Sequence, residues 1–191
     1  MKVDFFSGWM ENNFNLINST GLGYTMLFFY LLPFILIEKK LILEINKKKI
    51  IFNLLLFLII LYFFNYSTYQ GGGIFYHLSH LIFDNNIILY VVMLISILYF
   101  NQLVNVFNTS NFILIFILIV LEIDHYFYQE TYDPLVLICL TLLFSSKIID
   151  NFFYKINLTK VNLFLFYCLS FYAVMAFRNE IHLLKNTIFN F

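Results

Sequence analysis

The sequence predicts an all-α protein: a polytopic transmembrane helix bundle of about six spans with one short interfacial helix, forming a single domain over residues 1–191. Three observations predict it. The chain is 62% hydrophobic and only 12% charged, with a mean hydropathy of +0.85, whereas soluble domains are about 45–50% apolar and about 25% charged. That composition excludes a soluble globular enzyme, and it excludes disorder, which needs low hydrophobicity and high charge. Apolar residues gather into six segments separated by polar loops. The lysines concentrate in two of those loops, and both fall on the same side when six spans are threaded through a bilayer.

The first element is Met1 to Thr20. It carries Asp4 and Glu11, no basic leader and no small-residue cleavage site, so it does not read as a signal peptide. Phe5, Phe6, Trp9, Met10, Phe14 and Ile17 recur at roughly helical spacing, which predicts an amphipathic outer tail with Trp9 at the membrane interface. The six apolar segments follow: Leu22–Ile37 with Pro33 inside it, Ile50–Phe64, Ile87–Phe100, Phe112–Ile123, Pro134–Phe144 and Val161–Phe177. A span needs about 20 residues. Flanking Tyr, Phe and Asn residues must therefore complete the shorter cores, with Phe107 and Phe127 as outer limits for the third and fourth.

Lys39, Lys40, Lys47, Lys48 and Lys49 lie between the first two segments, and Lys147, Lys155 and Lys160 between the last two. Loops rich in Lys stay cytoplasmic. The opposite face then receives the N-terminal tail, the loop Asn65–Asn86, the loop Asp124–Asp133 and the C-terminal tail. It holds all four histidines and most of the acids, with Arg178 and Lys185 as a mild exception to the charge rule. The chemistry of the chain should sit on this outer rim.

Two stretches on that rim carry candidate residues. In Gly71-Gly72-Gly73-Ile74-Phe75-Tyr76-His77-Leu78-Ser79-His80-Leu81-Ile82-Phe83-Asp84, the glycines mark a turn or a close backbone approach. Apolar residues at 74, 75, 78, 81 and 82 make one helical face, and His77, His80 and Asp84 make another stripe. This reads as a short interfacial helix. Its stripe is open to three uses: a water-facing polar edge, contact with a phosphate or sugar, or metal ligation. In Leu121–Leu135, four carboxylates (Glu122, Asp124, Glu130, Asp133) stand with His125, Tyr126, Tyr128 and Tyr132 between two apolar runs. Charges at membrane depth cost about 2.5–3.5 kcal/mol each on insertion scales, so such groups face a cavity. Asp133 before Pro134 also fits a helix cap. The alternative is an ordinary polar loop. Arg178, after the last segment, suits bidentate phosphate recognition or interface anchoring.

Other features are silent. The net charge is zero, which gives no support for nucleic-acid binding. Cys139 and Cys168 lie in apolar runs and read as packing residues. The abundance of Phe, Ile, Asn and Lys looks like codon bias, so single Asn and Phe residues are discounted as functional signals. The Asn-x-Ser/Thr matches at Asn18, Asn65, Asn108 and Asn157 are discounted with them. No phosphate-binding glycine loop, zinc spacing or nucleophile elbow is present, and no cofactor or metal is expected.

The stretches Gly71–Ser79 and Tyr128–Leu135 resemble uncharacterised bacterial members of the GT-C superfamily, polytopic membrane glycosyltransferases that use polyprenyl-phosphate-linked sugars. The second is also similar to the aromatic-acid-Pro pattern near late helices of eukaryotic lipid-linked-sugar glucosyl- and mannosyltransferases. The resemblance covers about Tyr69 to Phe177 and corresponds to the C-terminal portion of such an enzyme. The family has more spans, and its key acid lies in a large first outer loop. The resemblance therefore implies a catalytic acid upstream of this chain, with Asp4 and Glu11 as remnants of that region. Within the chain, Asp124 and Asp133 are the catalytic candidates. His77, His80 and Arg178 would meet the phosphate, and Asp124, His125, Glu130 and Tyr132 the sugar or acceptor. The implied partners are the lipid bilayer, a lipid-linked sugar donor and a missing N-terminal half or protein partner. The implied location is the bacterial inner (plasma) membrane, multi-pass. Two rivals stand beside this reading. One is a transporter-like protein, which should carry polar groups at mid-span. The other is a non-catalytic membrane subunit.

Overall fold

The computed structural model describes residues 15–38, 47–66, 71–103, 108–120 and 135–176. Among them every regular element is helical. In chain order these are α1 (Asn15–Glu38), α2 (Lys47–Phe63), α3 (Gly73–Phe83), α4 (Ile87–Leu103), α5 (Thr109–Val120), α6 (Leu135–Leu143), α7 (Lys147–Tyr154) and α8 (Leu158–Ala176). The all-α expectation holds. Among the described residues, α1 is the one helix long and apolar enough to cross a membrane by itself. The bent pair α6–α7 passes the same test only if counted as one span.

Two expectations are corrected. Residues 15–20, read as the end of the N-terminal tail, are helical and continuous with the first apolar segment in α1. The earlier part of that tail lies outside the described residues. The lysine loop between the last two apolar segments is not plain loop: Lys147–Tyr154 is helical, with Ile148, Ile149 and Phe152 buried on one side. That apolar stripe, i, i+1, i+4, is too short to stand out in a hydropathy reading.

Helix α1 is the stave around which the others pack. It touches α2, α3, α4, α5, α7 and α8. Leu22, Leu27, Leu31 and Phe34 on α1 are fully buried, as are Leu89, Met93, Ile97 and Phe100 on α4, a stripe spaced four, four and three residues apart. Gly21 permits the closest approach: a Cβ there would lie 2.7 Å from Met93 Cε and 3.1 Å from Ile60 Cγ2.

On α2 and α5 an asparagine is buried while apolar side chains face outward. Asn53 is wholly buried, while its α2 neighbours Leu54, Leu55, Leu58 and Ile59 are exposed and Tyr62 is 82% exposed. On α5, Asn111 is buried while Phe112, Ile113, Phe116 and Ile117 are exposed. Asparagine side chains tie the helices together. Asn18 Nδ2 donates to Asn65 Oδ1 (2.7 Å), and Asn65 N–H donates to Asn18 Oδ1 (3.1 Å). Tyr24 OH donates to Asn101 Oδ1 (3.1 Å), whose Nδ2 donates to Asn53 Oδ1 (2.8 Å). Side-chain amides between helices in apolar surroundings contribute about 0.6 kcal/mol each on average.

Breaks in the helices are repaired in the same way. The last turn of α6 is wound as a π-helix over Cys139–Leu143, closed by Phe144 N–H to Cys139 O at 2.9 Å. The chain then bends by 81° into α7. At that break Asn111 acts as a backbone surrogate: its Nδ2 donates to Ser145 O and its Oδ1 accepts from Ser145 N–H, both at 3.0 Å.

Pro33 makes a second gap. It has no N–H, so the Phe29 carbonyl loses its helical donor. Tyr167 of α8 supplies one, its OH donating to Phe29 O at 2.8 Å. An ion pair between Lys160 at the start of α8 and Glu38 at the end of α1 fixes the other end of the same contact, with the ammonium 5.5 Å from the Phe152 ring centroid.

Tyr167→Phe should therefore destabilise the fold by about 1 kcal/mol, in the range of interhelical hydrogen bonds in apolar surroundings. In a Pro33→Ala background the restored N–H serves Phe29 O, and the same change should cost less. A double-mutant cycle on reversible unfolding in mixed micelles measures the difference; equal costs in both backgrounds would refute the assignment.

Candidate functional site

Of the residues singled out on the outer rim, Asp124, His125, Glu130, Tyr132, Asp133 and Arg178 lie outside the described residues. His77, His80 and Asp84 are described, on or beside α3.

Three consecutive positive-φ glycines lead into that helix: Gly71 at 77°, Gly72 at 91° and Gly73 at 74°. Side chains rarely adopt such angles, which is why glycine occupies all three places. Gly72 is also buried under two rings. A Cβ on it would stand 2.5 Å from Tyr76 Cδ1 and 2.9 Å from Tyr66 Cε1. Those two tyrosines meet edge to face at 5.0 Å. Burial, and secondarily the neighbouring Tyr66, pushes the Tyr76 phenol above its ordinary value, so it is neutral at physiological pH and packs as an aromatic.

The stripe expected on α3 does not form as read. The helix ends at Phe83, and Asp84 takes a left-handed conformation (φ 53°) with its N–H bonded to His80 O at 3.2 Å. Asp84 is thus an exposed cap residue just past the last helical turn. The burial of the helix also differs from its apolar face. Tyr76 and Ser79 are buried, while Leu78, Ile82 and Phe83 are exposed. The polar side turns inward, as in α2 and α5.

What that inward side does is cap α4. Ser79 Oγ donates to Asn85 O at 2.6 Å and accepts the N–H groups of Ile88 (3.0 Å) and Leu89 (3.4 Å). Asn85 Oδ1 accepts from Ile87 N–H at 3.0 Å. The first N–H groups of a helix have no intrahelical partner, and here a serine from the preceding helix and an asparagine from the turn serve them. His80 Nε2 lies 2.9 Å from Asn86 Oδ1. The His80 ring also lies tilted against Tyr76 at 4.5 Å, and His77 lies edge-on to the same ring at 5.8 Å. Both histidines are half-buried and share this tyrosine. Among the described residues no three His, Cys, Asp or Glu side chains converge as metal ligands.

Sequence reasoning missed Ser79, Asn85 and Asn86. The signal was the Asp84-Asn85-Asn86 run, since Asp and Asn tolerate left-handed backbone and bond to nearby main chain. Cys139 is buried and Cys168 half-buried, and neither forms a disulfide.

Comparison with known protein families, with curated proteins and with solved structures gave no match for this chain.

Gly72→Ala should destabilise the corner by about 1–3 kcal/mol through the left-handed backbone, with the ring clash added. Gly23→Ala, where the new Cβ would meet only Ile119 Cγ1 at 3.7 Å, should be tolerated. Thermal unfolding of the two variants in detergent checks the contrast, and equal midpoints would refute it.

Proposed function

We propose that this chain is a multi-pass inner-membrane protein that works at its outer rim, on a sugar carried by a lipid phosphate. The observation that carries the membrane part is the apolar outer face of α2 and α5 beside buried asparagines. Leu, Ile and Phe cover the outside of α2 and α5 while Asn53, Asn101 and Asn111 are buried among helices. A water-soluble bundle puts its asparagines outside and its leucines inside; a bundle in hydrocarbon satisfies polar groups internally and leaves its outside apolar. The Glu38–Lys160 pair joins the ends of the two lysine-rich connections, which suits a common cytoplasmic side. Asn18 and Asn65 join the opposite ends of α1 and α2. Six spans require the shorter helices to be completed by interfacial flanks.

The catalytic part rests on the resemblance of Gly71–Ser79 and Tyr128–Leu135 to GT-C enzymes. In this reading an acceptor hydroxyl attacks the anomeric carbon of the donor. A carboxylate takes the hydroxyl proton, and the lipid phosphate leaves against cationic or hydrogen-bonding groups. Asp124 and Asp133 are the bases available in this chain, and His77, His80 and Arg178 the phosphate contacts. The bonding of His80 to Asn86 favours a second reading for α3 itself, as a structural corner of a non-catalytic subunit.

Transfer of hexose from a radiolabelled polyprenyl-phosphate donor, assayed in membranes holding the full chain, separates the two. The glycosyltransferase reading expects Asp124→Asn or Asp133→Asn to lower turnover by about 100-fold or more, as for loss of a general base, at unchanged protein level. Unchanged transfer in both variants would overturn it in favour of the subunit reading.

A further inference from the structure

The bundle carries a groove that the outer-rim chemistry does not use. It lies between α2 and α5 with α1 as its floor and encloses about 440 Å³, within the range of about 300–1,000 Å³ typical of ligand sites. Tyr24, Ile115 and Ile119 line it and are buried, whereas Phe52, Phe112 and Phe116 line it with half-exposed rings. The buried three form the base and the aromatic three the walls. On α5 the lining runs from Thr109 to Ile119, about 15 Å at 1.5 Å per residue. That is half of the ~30 Å hydrocarbon thickness of a bilayer, the depth of one leaflet.

The lining fixes the chemistry of an occupant. It contains no charged residue, so it offers nothing to a headgroup. Its polar groups are largely spent: Thr20 Oγ1 donates to Leu16 O at 2.7 Å, and Tyr24 OH donates to Asn101. The occupant must therefore be uncharged and need few hydrogen bonds. A flat lipid-facing surface is wetted by any passing chain, but a trough walled by three phenyl rings loses dispersion contacts wherever it is left unfilled. Its length and lack of charge suit one linear chain.

We propose that this groove holds one acyl chain of a bilayer phospholipid as a resident structural lipid, clasped between Phe52 on α2 and Phe112 and Phe116 on α5. The chain completes the packing of α5 against α1 and α2 where side chains leave off. This inference rests on the membrane reading above but not on the glycosyltransferase one.

The test uses the full chain in phosphatidylethanolamine–phosphatidylglycerol nanodiscs containing a phospholipid with a diazirine in one acyl chain. After illumination, adducts are mapped by peptide mass spectrometry. The expected result is about tenfold enrichment at Phe112 and Phe116 over Leu55, Leu58 and Leu142, which are exposed outside the groove, equivalent to about 1.4 kcal/mol of preference. Phe116→Ala, at an exposed position that should not impair folding, is expected to abolish the enrichment at Phe112. Even labelling of the exposed apolar positions, or enrichment elsewhere, would overturn the groove assignment while leaving the membrane reading in place. Recovery of the folded chain in aqueous buffer without detergent would overturn both.

Discussion

A bundle with an apolar exterior has to find partners for its polar groups from within, and nearly every unusual feature of this fold follows from that constraint. Helix α1 runs through the middle and includes a proline, which strips the Phe29 carbonyl of its donor. The hydroxyl that repairs it comes from α8, more than a hundred residues later in the chain. The α6–α7 break exposes the Ser145 peptide, and the repair comes from Asn111 on α5. The start of α4 leaves N–H groups open, and Ser79 on α3 closes them. In each case a local defect becomes a tertiary contact. Such repairs specify which helices are neighbours, a choice that uniform Leu and Ile surfaces leave undetermined.

The same constraint explains how legible the sequence was. Apolar runs mark the helices, and the boundaries of α2, α4 and α8 fall within a few residues of the hydropathy segments. The glycine run correctly announced a turn and then a helix at Gly73. The partners could not be read. Asn18, Asn53, Asn65, Asn101 and Asn111 looked like the background of an asparagine-rich chain, yet they hold helices together. Their role appears only when two distant positions come within 3 Å, and no local pattern encodes that. Helix α7 was lost because eight residues bearing a lysine and an aspartate resemble a connection. The His77, His80, Asp84 spacing suggested a stripe, but helix spacing counts only while the helix lasts, and Asp84 lies just past its end.

For function, the described part of the expected outer rim supplies a hydrogen-bonded corner between α3 and α4. Ser79, Asn85 and Asn86 set the angle between α3 and α4, and His80 is braced against the same turn. A corner of that kind can hold neighbouring loops in place. In the proposed glycosyl transfer the reacting carboxylates come from the 121–134 stretch, which lies outside the described residues. The uncharged interior of the described bundle also bears on the transporter alternative. Among the described residues the ionisable pair joining helices, Glu38 with Lys160, sits at helix ends. Asn53, Asn101 and Asn111 are uncharged and bonded to side chains or main chain of other elements, an arrangement suited to holding helices and not to carrying ions.

What surrounds α2 decides whether the outer face of the bundle meets lipid. Single spin labels placed in turn along residues 51–62 of the full chain in lipid vesicles would report local accessibility to oxygen, which partitions into hydrocarbon, and to a water-soluble nickel chelate. The account predicts high oxygen and low nickel access at 54, 55, 58 and 59, with low access to both at 53 and 60. High nickel access at 54, 55, 58 and 59 would mean that water covers the leucine face, and the membrane reading would lose its physical basis.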